Sequence, residues 1–210
     1  MRLPFCRTAA TAWRRLALAC GLLAALGSGQ AAETPRWSQL TETTFQHLAL
    51  DQGLPNDIVM TVAEDGDGFI WLGTLSGLAR WDGYRLRVYK PDPRTPGGLP
   101  DNVIHTLHGD EAGRLWIGTS AAGLVRYDRA SDRFITFGVG SGKLSHVSVR
   151  DIAGDGAGGL WVATDGGLDH LDTRGDTPRR RADDPGVMAL QGRRVLAVLP
   201  DRRGALWVGA

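Results

Sequence analysis

From Leu54 onward, short apolar runs alternate with clusters of Gly, Asp, Asn and Pro, and the alternation itself repeats. Asp65 to Thr74 reads DGDGFIWLGT, Asp110 to Thr119 DEAGRLWIGT, Asp155 to Thr164 DGAGGLWVAT and Asp201 to Ala210 DRRGALWVGA. Trp71, Trp116, Trp161 and Trp207 stand 45, 45 and 46 residues apart. A leucine lies 11 residues before each aspartate, at Leu54, Leu99, Leu144 and Leu190, and an apolar run joins the two. Downstream, Gly77-Leu78, Gly123-Leu124 and Gly167-Leu168 lead to Trp81-Asp82, Tyr127-Asp128 and Leu171-Asp172. A short aromatic run closes the first two units, Leu86 to Tyr89 and Phe134 to Phe137.

Runs of β-branched and aromatic residues bounded by turn residues read as strands. Asp-x-x-Gly between two such runs reads as a hairpin turn, because glycine reaches positive φ without steric cost. Leu115-Trp116-Ile117 is apolar at consecutive positions, which fits a strand covered on both faces by neighbouring sheets. A period of ~40–45 residues with four strands per unit is that of a propeller blade. The pattern therefore predicts an all-β fold, a β-propeller of four-stranded antiparallel blades, with repeats over 54–98, 99–143 and 144–189 and a partial one over 190–210.

The repeat resembles the two-component regulator propeller repeat: a Leu-Pro-Asp-Asn lead-in, then Asp-x-x-Gly-x-Leu-Trp-Ile-Gly-Thr, then Gly-Leu-x-x-Tyr-Asp. The resemblance covers residues 54 to 210. It implies the periplasmic sensor region of a membrane-spanning receptor whose output domain is a histidine kinase, often hybrid, or a diguanylate cyclase. It also implies that such a receptor is a homodimer. Ala163 stands in place of the strand glycine, Leu171 in place of the tyrosine, and the aromatic fourth strand is missing from the third unit.

Residues 1–31 carry a different pattern. Arg2, Arg7, Arg14 and Arg15 precede an apolar core from Leu16 to Leu26, and Gly29-Gln30-Ala31 supplies small residues for cleavage. This reads as a secretory signal peptide, its core well short of the ~20 residues of a spanning helix. Residues 32–43 read as a linker and 44–210 as the N-terminal part of the propeller. Both cysteines, Cys6 and Cys20, lie in the leader, so the exported chain has neither disulfides nor thiol chemistry. Without the leader's four arginines, 20 basic residues face 23 acidic ones, a net charge of −3 against +1 for the whole chain. That balance excludes a nucleic-acid surface.

Phe45 to Ala49 has the spacing of an outer strand with no blade of its own, as when an early strand completes the last blade of a ring. A closed propeller needs ~4–8 blades. About three and a half repeats of ~45 residues predict a ring whose remaining blades lie beyond residue 210. Arg179-Arg180-Arg181 and Asp183-Asp184-Pro185 fall where the third unit's outer strand belongs and read as a charged edge strand or loop.

The four tryptophans recur at one structural position, so they read as packing residues. His47, His105, His108, His146 and His170 are scattered without metal-ligand spacing, and the acids sit at repeated turn positions. No catalytic, metal or cofactor constellation emerges. The remaining candidates precede each first strand: Asn56 and Asp57, Asp101 and Asn102, Ser145 and His146. If that strand is innermost they rim the central channel, where they would meet a small-molecule ligand such as an oligosaccharide; alternatively they cap turns. The reading is a non-catalytic periplasmic ligand sensor. Its alternatives are a secreted propeller enzyme, a lyase or glycosidase, and a protein-binding scaffold.

Overall fold

The structure, a computed structural model, describes residues 47–139, 144–181 and 183–210. The leader, the linker and Phe45 lie outside the described residues. His47 to Ala210 forms one compact unit.

Three four-stranded antiparallel sheets and one two-stranded sheet follow one another along the chain. The first blade holds β1 (Val59–Glu64), β2 (Ile70–Thr74), β3 (Gly77–Trp81) and β4 (Leu86–Tyr89). The second holds β5 (Ile104–Gly109), β6 (Leu115–Thr119), β7 (Leu124–Asp128) and β8 (Arg133–Phe137). The third holds β9 (Val149–Gly154), β10 (Gly159–Thr164), β11 (Gly167–Asp172) and the two-residue β12 (Arg179–Arg180). A helix α1 (Pro185–Ala189) follows, capped by the Asp184 carboxylate on the Gly186 N–H. Then come β13 (Ala197–Pro200) and β14 (Leu206–Gly209). Each sheet pairs in sequence order. First strands neighbour one another from blade to blade, β1 by β5, β5 by β9 and β9 by β13. They form the inner edge, and the fourth strands the outer.

The turns explain the repeated aspartate and glycine. In the first, second and fourth copies the aspartate carbonyl accepts the N–H of the glycine three residues on, and in all four its Oδ1 accepts two further turn N–H groups. Gly68, Gly113, Gly158 and Gly204 adopt φ of 83°, 74°, 82° and 82°, a region where a Cβ is strained. The third blade's short outer strand has its own reason. Asp169 replaces the apolar Ala79 and Val125 of the earlier blades and is fully buried. Its carboxylate pairs with Arg180 at 2.6 Å and accepts from the Ser145 N–H and Oγ at 2.8 Å. A two-residue ladder is thus anchored by one buried ion pair. The charged run is an edge strand, and Asp183-Asp184-Pro185 leads into a helix that residue pattern alone does not announce.

Three of the four tryptophans pack against the following blade. Trp71 clusters with Leu99, Ile104 and Leu107 of the second blade, and Trp116 with Leu144, Val149 and Ile152 of the third. Trp161 packs beside Val195 and Val198. Trp207, in the last described strand pair, is exposed, against the reading of all four as buried packing residues. At the other end Leu48, Leu54, Leu72 and Ala79 form a small cluster of their own, and His47 to Ala49 has no strand conformation.

The strand glycine is set by the inner strand opposite it. A Cβ on Gly73 would meet Thr61 Cγ2 at 2.6 Å and Ile104 Cγ2 at 2.7 Å, and one on Gly118 would meet Thr106 Cγ2 at 2.5 Å and Val149 Cγ1 at 2.7 Å. In the third blade Ala163 pairs with Asp151, which has no γ-methyl. Asp151 still accepts the Val198 N–H of the next blade at 2.9 Å, as Thr61 accepts that of Leu107 at 3.2 Å.

Trp116→Ala is expected to cost about 3–5 kcal/mol in urea unfolding, and Trp207→Ala less than about 0.5 kcal/mol. Gly118→Ala is expected to cost about 1–3 kcal/mol by overpacking, with only part of that loss restored by adding Thr106→Ala in the same urea assay, because the contact with Val149 remains.

Candidate functional site

The six sequence candidates lie in the lead-in segments of three successive blades, Asn56, Asp101 and His146 at one repeat position, Asp57 and Asn102 one residue after it and Ser145 one residue before it. Asn56 donates from Nδ2 to Ser76 Oγ at 3.1 Å and accepts the Ile58 N–H at 2.8 Å. Asp101 accepts the Val103 N–H at 3.3 Å and the Ala121 N–H at 2.6 Å. Ser145 Oγ meets Thr164 Oγ1 and Asp169, and His146 Nδ1 accepts the Ser148 N–H at 3.0 Å. Asp57 and Asn102 are exposed, and the Asn102 carbonyl accepts the Gly77 N–H of the first blade at 2.8 Å. These contacts are those of turn caps, and they reach within a blade or to its neighbour's backbone.

Beside them, on the inner strand, Arg150 grips Asp165 with two donors at 2.8 and 2.6 Å, and Arg194 adds a third at 2.9 Å. The Arg150 guanidinium holds the Asp165 carboxyl well below the usual carboxylate range. His105 Nδ1 donates to the Val149 carbonyl at 3.0 Å.

At the opposite end of the sheets, where the Asp-x-x-Gly turns lie, a cleft of about 600 Å³ opens between the second and third blades. Its walls include Gly109, Gly154, Gly156 and Gly158, with His108, Glu111 and Arg114 among its side chains. Two of these break the repeat. His108 stands where the other units have Ala63, Ala153 and Leu199, and Arg114 where they have Phe69, Gly159 and Ala205. Burial pushes the His108 imidazole below its ordinary pKa, outweighing Asp110 and Asp151, so it is neutral at pH 7. A Cβ on Gly154 would come within 3.3 Å of its Nε2. Arg114 ties the blades together, donating to Asp110 at 2.6 Å and to the Thr173 carbonyl and Oγ1 at 2.6 and 3.1 Å.

The turn aspartates have a second task. Asp65 and Asp110 accept the Nε1–H of Trp71 and Trp116 at 2.8 Å, and Asp201 that of Trp207 at 3.4 Å. Opposite each buried indole stands a cation, Arg80 over Trp71 and Arg126 over Trp116, 5.6 and 5.8 Å from the ring centroids. The third blade departs again. His170 replaces the arginine, stacks on Trp161 at 3.9 Å, and takes the Asp155 carboxylate at 2.9 Å, with Asp184 at 3.3 Å on its other nitrogen.

Sequence reasoning missed His108, Arg114 and His170. The signal that finds them is departure from the repeat: a residue shared by every unit serves the fold, and one that differs at a cleft is free to serve something else. No group of three or more His, Cys, Asp or Glu suited to a metal occurs among the described residues.

The fold is that of a β-propeller whose blades follow one another in sequence. Residues 53–76 and 98–121 match the family model of the two component regulator propeller. Solved structures agree. An extracellular domain described as that of a hybrid two component system, BT3049 from B. thetaiotaomicron, is 26% identical with a TM-score of 0.67, over 78% of this chain and 23% of its own. An extracellular domain described as that of a one component system, BT4673 from the same organism, is 24% identical with a TM-score of 0.62, over 79% of this chain and 24% of its own. PorZ, a surface component of the type-IX secretion system of Porphyromonas gingivalis, shares the fold at 20% identity and a TM-score of 0.51, over 71% of this chain and 23% of its own. The chain thus spans about a quarter of the length of these three structures. No curated protein sequence matches it. No helix of the described residues is long and apolar enough to cross a membrane.

Burial pushes the Asp110 carboxyl up, but its bonds to the Trp116 indole and to Arg114 outweigh this and hold it below the usual range. The unfolded carboxyl binds a proton more readily than the folded one. Its contribution to stability is therefore complete above the ordinary aspartate pKa of about 4 and is lost as pH falls below that. Urea midpoints measured across acidic pH are expected to decline less steeply in Asp110→Asn than in the unaltered protein.

Proposed function

We propose that this chain is a ligand-sensing part of a periplasmic receptor region and that it performs no catalysis itself. The observation that carries the reading is the cleft between the second and third blades. It is the place where repeat-breaking side chains, His108 and Arg114, meet a wall of glycines. A glycine wall exposes backbone N–H and C=O groups, a neutral imidazole both donates and accepts, and Glu111 accepts. That mixture suits a polyhydroxylated ligand such as an oligosaccharide, in keeping with a few convergent polar groups in a preformed pocket. Of the two acids that line the cleft, Asp110 holds its turn and Glu111 is left as a single carboxylate, which favours binding over a two-carboxylate hydrolysis. The likeness to extracellular domains supports an exported chain, as does the arginine-led apolar leader. The channel-rim residues Asn56, Asp57, Asp101, Asn102, Ser145 and His146 form a second surface for a ligand, though their hydrogen bonds already serve turns. Output through the inner membrane, to a kinase or cyclase, and homodimerisation of the receptor belong to the same reading.

A panel of neutral and acidic oligosaccharides, screened by calorimetry, tests it. Binding is expected to fall at least tenfold in His108→Ala and in Glu111→Gln, with the sugar recovered unchanged. Release of shortened or unsaturated products would favour a glycosidase or lyase instead. Residues 1–40 fused to a reporter active only in the periplasm are expected to give activity, and a silent fusion would overturn the compartment.

A further inference from the structure

The inner strand of each of the first three blades skips one residue in its ladder. Val59 and Thr61 pair with Thr74 and Gly73, Ile104 and Thr106 with Thr119 and Gly118, and Val149 and Asp151 with Thr164 and Ala163. Met60, His105 and Arg150 are left out of the pairing. The residue before each bulge faces the preceding blade, where Ile104 and Val149 join the inter-blade cores. The residue after it faces the following blade, Thr61 accepting the Leu107 N–H and Asp151 that of Val198. The skipped side chain therefore leaves from the inner edge of the sheet, toward the axis, as bulges commonly re-aim a side chain. That edge faces the axis however many blades complete the ring.

The second and third blades place polar groups on this edge, and the groups adjoin. His105 Nδ1 lies 3.0 Å from the carbonyl of Val149, the residue before Arg150. A carbonyl only accepts, so the proton sits on Nδ1 and Nε2 is left as an acceptor. Arg150 gives Nε and Nη2 to Asp165 at 2.8 and 2.6 Å, while Arg194 gives only Nε, at 2.9 Å. The Nη1 group of Arg150 and both terminal groups of Arg194 have no partner among the described residues. Two guanidinium groups share one carboxylate, which leaves a surplus positive charge. Asp151, the next acid along the strand, is turned to the Val198 N–H and to Thr106 Oγ1. The cluster also breaks the repeat: Leu75 and Ser120 stand at the Asp165 position, and Ile58, Val103 and Ser148 at that of Arg194. We propose that His105, Arg150 and Arg194 form an axial site for a carboxylate that carries a nearby hydroxyl. The carboxylate takes the unused guanidinium N–H groups, whose fixed fork suits it, and the hydroxyl donates to His105 Nε2. The site lies at the other end of the sheets from the cleft beside His108, so neither site depends on the other.

Calorimetry with lactate, D-glucuronate, acetate and D-glucose tests this. Lactate or glucuronate is expected to bind, and the tighter of the two tells a small hydroxy acid from a sugar acid. Acetate is expected to bind about fivefold more weakly than lactate, for want of one hydrogen bond, and glucose not to bind at this site. Arg194→Gln is expected to weaken binding of the acids at least about tenfold. Its side chain is 61% exposed, so circular dichroism is expected to be unchanged. Arg203→Gln removes the same charge from an exposed position in the fourth Asp-x-x-Gly turn and is expected to bind as the unaltered protein does. His105→Leu is expected to erase the preference for lactate over acetate while acetate still binds. Absence of binding by both acids, equal losses in Arg194→Gln and Arg203→Gln, or a lactate preference that survives His105→Leu would each overturn the proposal.

Discussion

One carboxylate per blade holds two things that would otherwise be independent. The aspartate of Asp-x-x-Gly closes its hairpin with Oδ1 and grips the tryptophan indole with Oδ2, in Asp65 and Asp110 alike. An indole buried in an apolar interface needs an acceptor for its N–H, and a carboxylate excluded from water needs donors. Each solves the other's difficulty. The turn fixes where the indole lies, and the indole fills the space between blades. The hairpin, the inter-blade core and the spacing of the sheets therefore depend on one side chain. The arginines opposite Trp71 and Trp116 complete the arrangement by covering the ring face.

The third blade shows how far the scheme bends. Its aspartate turns to His170 rather than to Trp161, and its arginine partner is gone. Gly159 accompanies that change, because a Cβ there would lie 2.3 Å from Asp155 Oδ2. Ala163 is tolerated because Asp151 has replaced a threonine. Asp169 with Arg180 holds an outer strand too short to hold itself. These are compensated substitutions, legible only in pairs, and none of the pairs is adjacent in sequence.

The period of the tryptophans carried the fold, since four hits at one spacing with turn residues between leave few architectures. The lead-in leucines and the strand glycine belonged to the same pattern. What the pattern could not carry was the partner of each polar group. Nothing in the spacing says that Asp110 reaches Trp116, because that contact depends on a side-chain direction after a turn. The helix Pro185–Ala189 was hidden because it replaces part of a repeat with unrelated sequence. The candidate ligand residues were chosen as polar groups near an axis, and four of them, Asn56, Asp101, Ser145 and His146, also bond to turns. The cleft was found by the opposite test, seeking where the units disagree.

Trp71 and Trp116 are each buried by the blade after them, so these contacts have a direction, and a blade between two others carries one half of two similar joints. Gain or loss of a whole unit of about 45 residues leaves all remaining joints correctly mated. Gain or loss of half a unit would set a front against a front. Lineages can therefore vary the length of such a domain by duplication without redesigning its interior. The side chains of each unit that face clefts and channel are then free to diverge separately.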